Sequence, residues 1–501
     1  MPGDFVMRDR MRSIHRIGIG ILVGVFFALG YVMRLQVDEQ DKAAALRENG
    51  VFVVTPGTRI ASVNLEGAAD VDFRPLQTLL SVLTNLRQHY VERLTEADEG
   101  KMTYEALKSM LGSLNDPNTR FLEPEDRRVL ADAQEGIFHG IGAVLGVKRV
   151  HTGEYVEGDS RSTDEQPLPG VPPKPRPKRE IVEEHLVVVA TLPGSPAEAA
   201  GLRTGDDITA VNSKPVLPFD PYQKIDKIVK EARSAPNSER PRFRKLLEAE
   251  QKRIEGGIGI LDAQNLLMRA DKDPVKITLA PVGPGEPRQV DIKPRKFTVE
   301  PVAARLLDGG TYGYVRVNFL GAKTADEFAK AMGELQSAGA KGLVLDLRNL
   351  AGGQIDAARQ VGSWFVPGKP LAVELRSRGR KSTVTAADRT EDVWKKPLVA
   401  LVDRGTARTA EVLAAALREN GVAKLVGEKT YGDMTVTSLL DQPDGSAVVM
   451  TTGSLLTGKG GAYAGKGIPV DIEMASGASG EAAVKEAVRL LSAGSREARA
   501  R

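Results

Sequence analysis

PLVALVDRGTARTAEVLAAALREN, residues Pro397 to Asn420, decides the fold. PLVALVDR reads as a strand and TAEVLAAALREN as a helix, with a short turn between them. The same alternation recurs on both sides. TYGYVRVNFL, from Thr311, is a strand, and AKTADEFAKAMGELQSAG, from Ala322, is a helix. KGLVLDLR, from Lys341, is a largely apolar strand, as burial on both faces requires. Gln354 to Phe365 is helical, and AKLVGE, from Ala423, is a further strand. Strands that alternate with helices argue for an α/β layer with a largely parallel sheet.

Upstream the pattern changes. HLVVVATL, His185 to Leu192, is a strand. In SPAEAAGLRTGDDITAVNSKPV, Ser195 to Val216, a short helix opens at Pro196, Gly201 and Gly205 mark turns, and Asp207 to Asn212 alternates as a half-buried strand. Residues 221–256 are dense in charge, with helical pairs such as Lys227 and Glu231, and read as two helices around Ala235-Pro236-Asn237. They form either a solvated insertion or a partner-docking arm. Helix 260–270 and strand 275–282 follow. Residues 149–180 are polar and proline-rich, a surface excursion that builds no core. Between 73 and 132 the recurrence of Leu76, Leu79, Leu80, Leu83 and Leu86 predicts a helix. A second helix ends at the turn Asn115-Asp116-Pro117-Asn118.

With 501 residues the chain can hold two to four domains, and 41% apolar with 27% charged residues is ordinary for a globular protein. A net charge of +3 does not point to nucleic acid. The chain has no cysteine, which excludes disulfides and thiolate metal sites. His15, His89, His139, His151 and His185 are scattered without ligand spacing, so no metal and no cofactor is expected. Arg8, Arg10, Arg12 and Arg16 precede the uncharged run Ile17–Met33, which is just long enough to span a bilayer. The basic flank puts the N-terminus in the cytoplasm, and no small-x-small cleavage site follows the run. An uncleaved signal-anchor is expected, contacting the lipid bilayer through residues 17–33; a cleaved signal peptide is the alternative.

SLNDPNTRFLEPEDRR, FHGIGAVLGV, SPAEAAGLRTGDDITAVNSKPV, KGLVLDLRNLAGG, VALVDRGTARTAEVLAAAL, VGEKTYGDMTV and GKGIPVDIEM occur in this order. Together, over about residues 73–475, they resemble the C-terminal processing peptidases, or tail-specific proteases. These are serine peptidases with a Ser–Lys dyad and an embedded PDZ domain. With the N-terminal transmembrane helix read above, the resemblance implies a mixed α/β fold: a helical segment and a PDZ-like domain inserted ahead of a protease-like core. The boundaries are 1–34 for stub and anchor, 35–132 for the juxtamembrane segment and helices, 133–298 for the PDZ-like domain, 299–478 for the core and 479–501 for the tail. A PDZ domain adds a peptide as a strand to a sheet edge, and amides of a glycine-containing loop capture its carboxylate. Gly140-Ile141-Gly142 matches that loop, although the same residues would serve a plain tight turn.

In the family the attacking serine is the middle one of a Ser-Ala-Ser-Ala-Ser-Glu turn. A lysine follows 25 positions later, and a glutamine four beyond that. Without gaps, those positions here are Arg408, Asp433 and Thr437. Arginine stays protonated and can neither attack a carbonyl nor accept a proton. A slipped register would offer Thr409 or Thr406 as the nucleophile. The family's Asn-Pro-Gly-Gly becomes Leu350-Ala351-Gly352-Gly353, which keeps the two glycines of an oxyanion-like loop. If the fold is retained, Arg408 and Asp433 should meet as an ion pair.

The chain is therefore expected to be an inactive homologue, anchored in the inner membrane with its bulk on the periplasmic side. It would regulate or scaffold by binding protein C-termini or extended peptides, with another protease or an envelope protein as a partner. The alternatives are an active serine/threonine-type endopeptidase with a rearranged nucleophile, and a structural assembly subunit with a blocked PDZ groove.

Overall fold

In a computed structural model of the chain, residues 74–156, 178–269, 273–281, 285–376, 379–475 and 480–499 are described. The expected anchor at 17–33 lies outside them. Among the described residues no helix is long and apolar enough to cross a membrane.

The described chain forms two compact units. One comprises residues 74–110, 121–124 and 439–448. Within it, helix Arg74–His89 and the helix beginning at Glu96 are joined by Arg87, whose Nε and Nη2 donate to the two carboxylate oxygens of Glu99 at 2.7 and 2.6 Å. Tyr104 donates its hydroxyl to Asp444 at 2.9 Å and packs its ring 5.2 Å from that of Phe121.

The second unit contains the remaining described residues and has two bodies. The first is built on a sheet ordered 143–156, 178–191, 207–211, 214–217, 258–259, with 275–280 also pairing 207–211 and then 288–292. Its core gathers Ile141, Leu186, Val188, Ile208, Leu267 and Ile277, none more than 1% exposed. Fully burying each such side chain stabilises by about 1.5–3 kcal/mol. Here the structure corrects the expected excursion. Residues 149–156 and 178–180 are strand, extending a hairpin whose register runs from Ala143↔Thr191 to Val156↔Lys178. Cross-strand charge pairing supports this polar ladder, as where Arg149 meets Glu184 at 3.0 Å; sequence polarity alone reads as loop. Residues 157–177 lie outside the described residues.

The charged insertion forms helices Gln223–Ser234 and Arg240–Glu255, which pack on each other. Buried Glu250 accepts from Lys224 and Arg253, while Ile228 and Phe243 are the buried apolar contacts of the pair. Helix Ile260–Met268 then returns the chain to the core of the first body.

The second body is a six-stranded sheet ordered 302–307, 312–317, 343–346, 398–402, 423–427, 472–473. Its first pair is antiparallel and the rest are parallel, in line with the alternation in sequence. Helices Thr324–Ser337, Ile355–Ser363 and Thr409–Glu419 bury Phe328, Val361 and Leu413 in one core. Helix Gly480–Arg499 contributes Ala487 and Leu491 to another, with Val344 and Leu401. Alternate residues of one strand thus supply both cores, which is why strand Leu398–Val402 is apolar throughout.

Candidate functional site

The turn between strand 398–402 and helix 409–419 is held by its own polar side chains. Asp403 Oδ1 accepts from the Asn349 and Gly405 amides, each at 2.9 Å. Thr406 is fully buried; its hydroxyl donates to Leu347 O at 2.8 Å and accepts from the Asp403 amide at 3.1 Å. Ala407 N donates to Leu350 O at 3.0 Å. These bonds deliver the chain to Arg408 with φ 55° and ψ −121°. That conformation favours glycine and costs an L-residue of order 1–3 kcal/mol. The strain sits at the residue that opens the helix, at the apex of the turn.

Arg408 is held on three sides. Its amide donates to Glu411 Oε2 at 3.0 Å. Its Nε donates to Asp433 Oδ2 at 2.7 Å, and its Nη2 donates to Asn118 Oδ1 at 2.6 Å. Asp433 uses its other oxygen to accept from the Thr435 amide at 3.0 Å. A Cβ built on Gly352 would stand 3.2 Å from Arg408 Cβ and 3.3 Å from its Cδ, so the aliphatic stem lies along the first glycine of the oxyanion-like loop. A Cβ on Gly353 would stand 2.5 Å from Leu320 O, against which this glycine closes as a short parallel bridge. Arg120 is a further cation in range. Burial and then the charge of Arg408 push its pKa down, and its Nε has no hydrogen-bond partner.

The sequence-predicted residues are thus brought together only in part. Arg408, Asp433 and Gly352 converge. Thr437 sits half-buried in strand Thr435–Asp441 and does not line the adjoining cleft. Thr409 donates its hydroxyl to Gly353 O at 3.0 Å and is 7% exposed. Both threonine hydroxyls therefore serve backbone carbonyls.

Three contributors escaped the sequence reading. Glu411 is fully buried, and it accepts from the Arg408 amide, the Gly432 amide at 2.8 Å and the Thr430 hydroxyl. Burial pushes its carboxyl up to about 7 against the pull of those donors, and nearby Asp433 adds to the rise. Asn118 belongs to a turn that reads only as a turn. Tyr431 packs over Gly146 of the first body, where an added Cβ would come within 3.1 Å of its hydroxyl. Burial and the charge of Asp433 push this phenol up to about 12.

A cleft of about 1210 Å³ opens beside this cluster, between strand residues 144–150 and the core loops carrying Arg408, Tyr431, Asp433 and Lys466. The Gly140-Ile141-Gly142 loop has φ of 83° at Gly140 and 74° at Gly142. Ile141 is 1% exposed, and its amide donates to Leu267 O at 3.1 Å. In this conformation the central amide of the loop is already paired.

Comparison with known proteins agrees with this architecture. Residues 311–474 match Peptidase family S41, and residues 187–240 match a PDZ domain. The carboxyl-terminal-processing protease of Synechocystis sp. is 28% identical over 371 residues, covering 73% of this chain and 69% of that protein. The carboxy-terminal processing protease CtpA of Bacillus subtilis is 26% identical over 378 residues, covering 75% and 65%. The solved photosystem II D1 C-terminal processing protease superposes with a TM-score of 0.52 at 26% identity, covering 79% of this chain and 86% of that one. Fold and matches define a PDZ-bearing protein built on a serine-peptidase fold. More narrowly, the chain is similar to the CtpA-like C-terminal processing peptidases.

Proposed function

We propose that this chain is a non-hydrolytic member of its family that holds protein C-termini or extended polypeptide segments and so regulates or scaffolds other proteins. The observation that carries the reading is the seat of Arg408. At the position where the family resemblance implies a serine, a guanidinium is tied to Asp433 and Asn118, and its stem covers Gly352. A permanently protonated group there supplies neither a nucleophile nor a base. The alternative peptidase would need Thr406 or Thr409, whose hydroxyls are buried and committed to carbonyls. Anchoring through residues 17–33, with the bulk in the periplasm, belongs to the same proposal and rests on the N-terminal sequence alone.

The test is a cleavage assay on residues 36–501 with an unfolded protein substrate, run beside the triple variant Arg408→Ser, Asp433→Lys, Thr437→Gln. No cleavage by the native chain is expected. Cleavage that survives repurification and disappears in Thr406→Ala or Thr409→Ala would overturn the reading.

A second reading, a structural assembly subunit with a blocked groove, is favoured by the pairing of the Ile141 amide with Leu267 O. Peptide affinity separates the two: a blocked subunit has none.

A further inference from the structure

Strand 143–156 ends its sheet, with 178–191 as its ladder neighbour on one side. Its outer edge is the kind of template to which an extended chain can add. Helix Ile260–Met268 places Ile260, Ala263 and Leu267 in the buried core of the same body and reaches this strand through Gln264. Gln264 is buried with them. Its Nε2 donates to Leu145 O at 3.3 Å, across 119 positions of sequence. The acceptor fixes the orientation of the amide, because a carbonyl can only accept.

We propose that Gln264 is an internal stand-in for a bound peptide, a side-chain amide occupying the strand-edge position that an incoming backbone N–H must take from it. This rests on the reading that the PDZ-like body binds polypeptide. The chemistry is matched, since a carboxamide N–H and a peptide N–H make the same bond to the same carbonyl. At 3.3 Å the internal bond is longer than the 2.9–3.0 Å optimum, so a well-placed peptide exchanges a poor bond for a better one. Releasing it needs only rotation of a side chain. The nearby bond from Ile141 N to Leu267 O is main chain to main chain, and it stays closed during that rotation. The amide best placed to capture a terminal carboxylate is therefore withheld while the strand edge opens. The ligand class that follows is an extended segment gripped by its backbone, with its terminal carboxylate contributing little.

The test uses the full chain in detergent against an array of dodecapeptides attached through their C-termini, and a second array attached through their N-termini with free carboxylates. Native chain, Gln264→Met and Gln264→Ala are compared. Methionine keeps the volume and removes the donor, so it carries the test if the alanine variant fails to fold. Gln264→Met is expected to bind the same peptides on both arrays about three- to tenfold more tightly, the worth of one competing hydrogen bond. N-methylation of a bound peptide at one backbone position should abolish the gain. A merely structural glutamine would give weaker binding or none. Equal affinities for native chain and Gln264→Met would overturn the stand-in while leaving peptide binding intact. Binding confined to free carboxylates would overturn the backbone-grip assignment. No binding by any of the three proteins would overturn the peptide-binding reading and this inference with it.

Discussion

Arg408 and Asp433 lie 25 positions apart in sequence, and their side chains meet at 2.7 Å beside the strained turn that opens helix Thr409–Glu419. The pair is not deeply sealed, since Arg408 keeps 35% of its side-chain exposure and Asp433 keeps 17%. Asp433→Ala leaves Arg408 beside Arg120 without its anion. We expect a loss of about 1–2 kcal/mol, with Arg408→Ala costing a similar amount and the double change costing less than the sum. Urea unfolding of all four proteins measures the coupling; strict additivity would mean that the contact contributes nothing.

The backbone of Arg408 gives a separate test. Arg408→Ala and Arg408→Gly delete the same ion pair, but only alanine keeps a Cβ at φ 55°, ψ −121°. The glycine variant should be more stable than the alanine variant by about 1 kcal/mol. A glycine variant less stable than alanine would show that the turn relaxes once the side chain is gone.

Glu411 sets a pH dependence. Its carboxyl rises from 4.5 to about 7 on folding. Below pH 4.5 it is protonated in both states and costs nothing. Between about 4.5 and 7 the unfolded chain ionises first, so stability falls as pH rises, by about 3 kcal/mol in total at ~1.4 kcal/mol per unit. Glu411→Gln should flatten this slope in denaturation measured at pH 4.5, 6 and 8. An unchanged slope would assign the dependence to other groups.

The two loop glycines should differ. Gly353→Ala drives a Cβ to 2.5 Å from the carbonyl of Leu320, a main-chain atom that cannot step aside, and we expect a loss above about 3 kcal/mol. Gly352→Ala meets only the stem of Arg408, a flexible side chain, although φ 102° still strains it. Its cost should be smaller, and smaller again in the Arg408→Gly background. Thermal unfolding of the three variants decides the order.

The strand–helix alternation from Thr311 onward was legible because apolar runs and helical periods are local, and the parallel sheet follows them closely. The meeting of Arg408 with Asp433 was also legible, since a swap at two matched positions constrains both. Glu411 was not singled out in the sequence; its burial, and its bonds from Thr430 and Gly432, are set by the fold, which brings them from 19 and 21 positions away. Asn118 was hidden for the same reason, at 290 positions from Arg408. Gln264 gave no signal, because a lone glutamine in an apolar helix is silent until its acceptor on Leu145 is known. The polar hairpin 149–156 and 178–180 was missed because its support is cross-strand, while its composition is that of a loop.

The mutual hold of Arg408 and Asp433 also acts as a ratchet on descent. A serine gained at 408 alone would face a carboxylate left without its cation. A lysine gained at 433 alone would stand against Arg408, whose charge already bears on Arg120. Each single step toward a Ser–Lys pair passes through a less stable protein. The obstacle to each single step lies in the pairing itself, not in the number of substitutions.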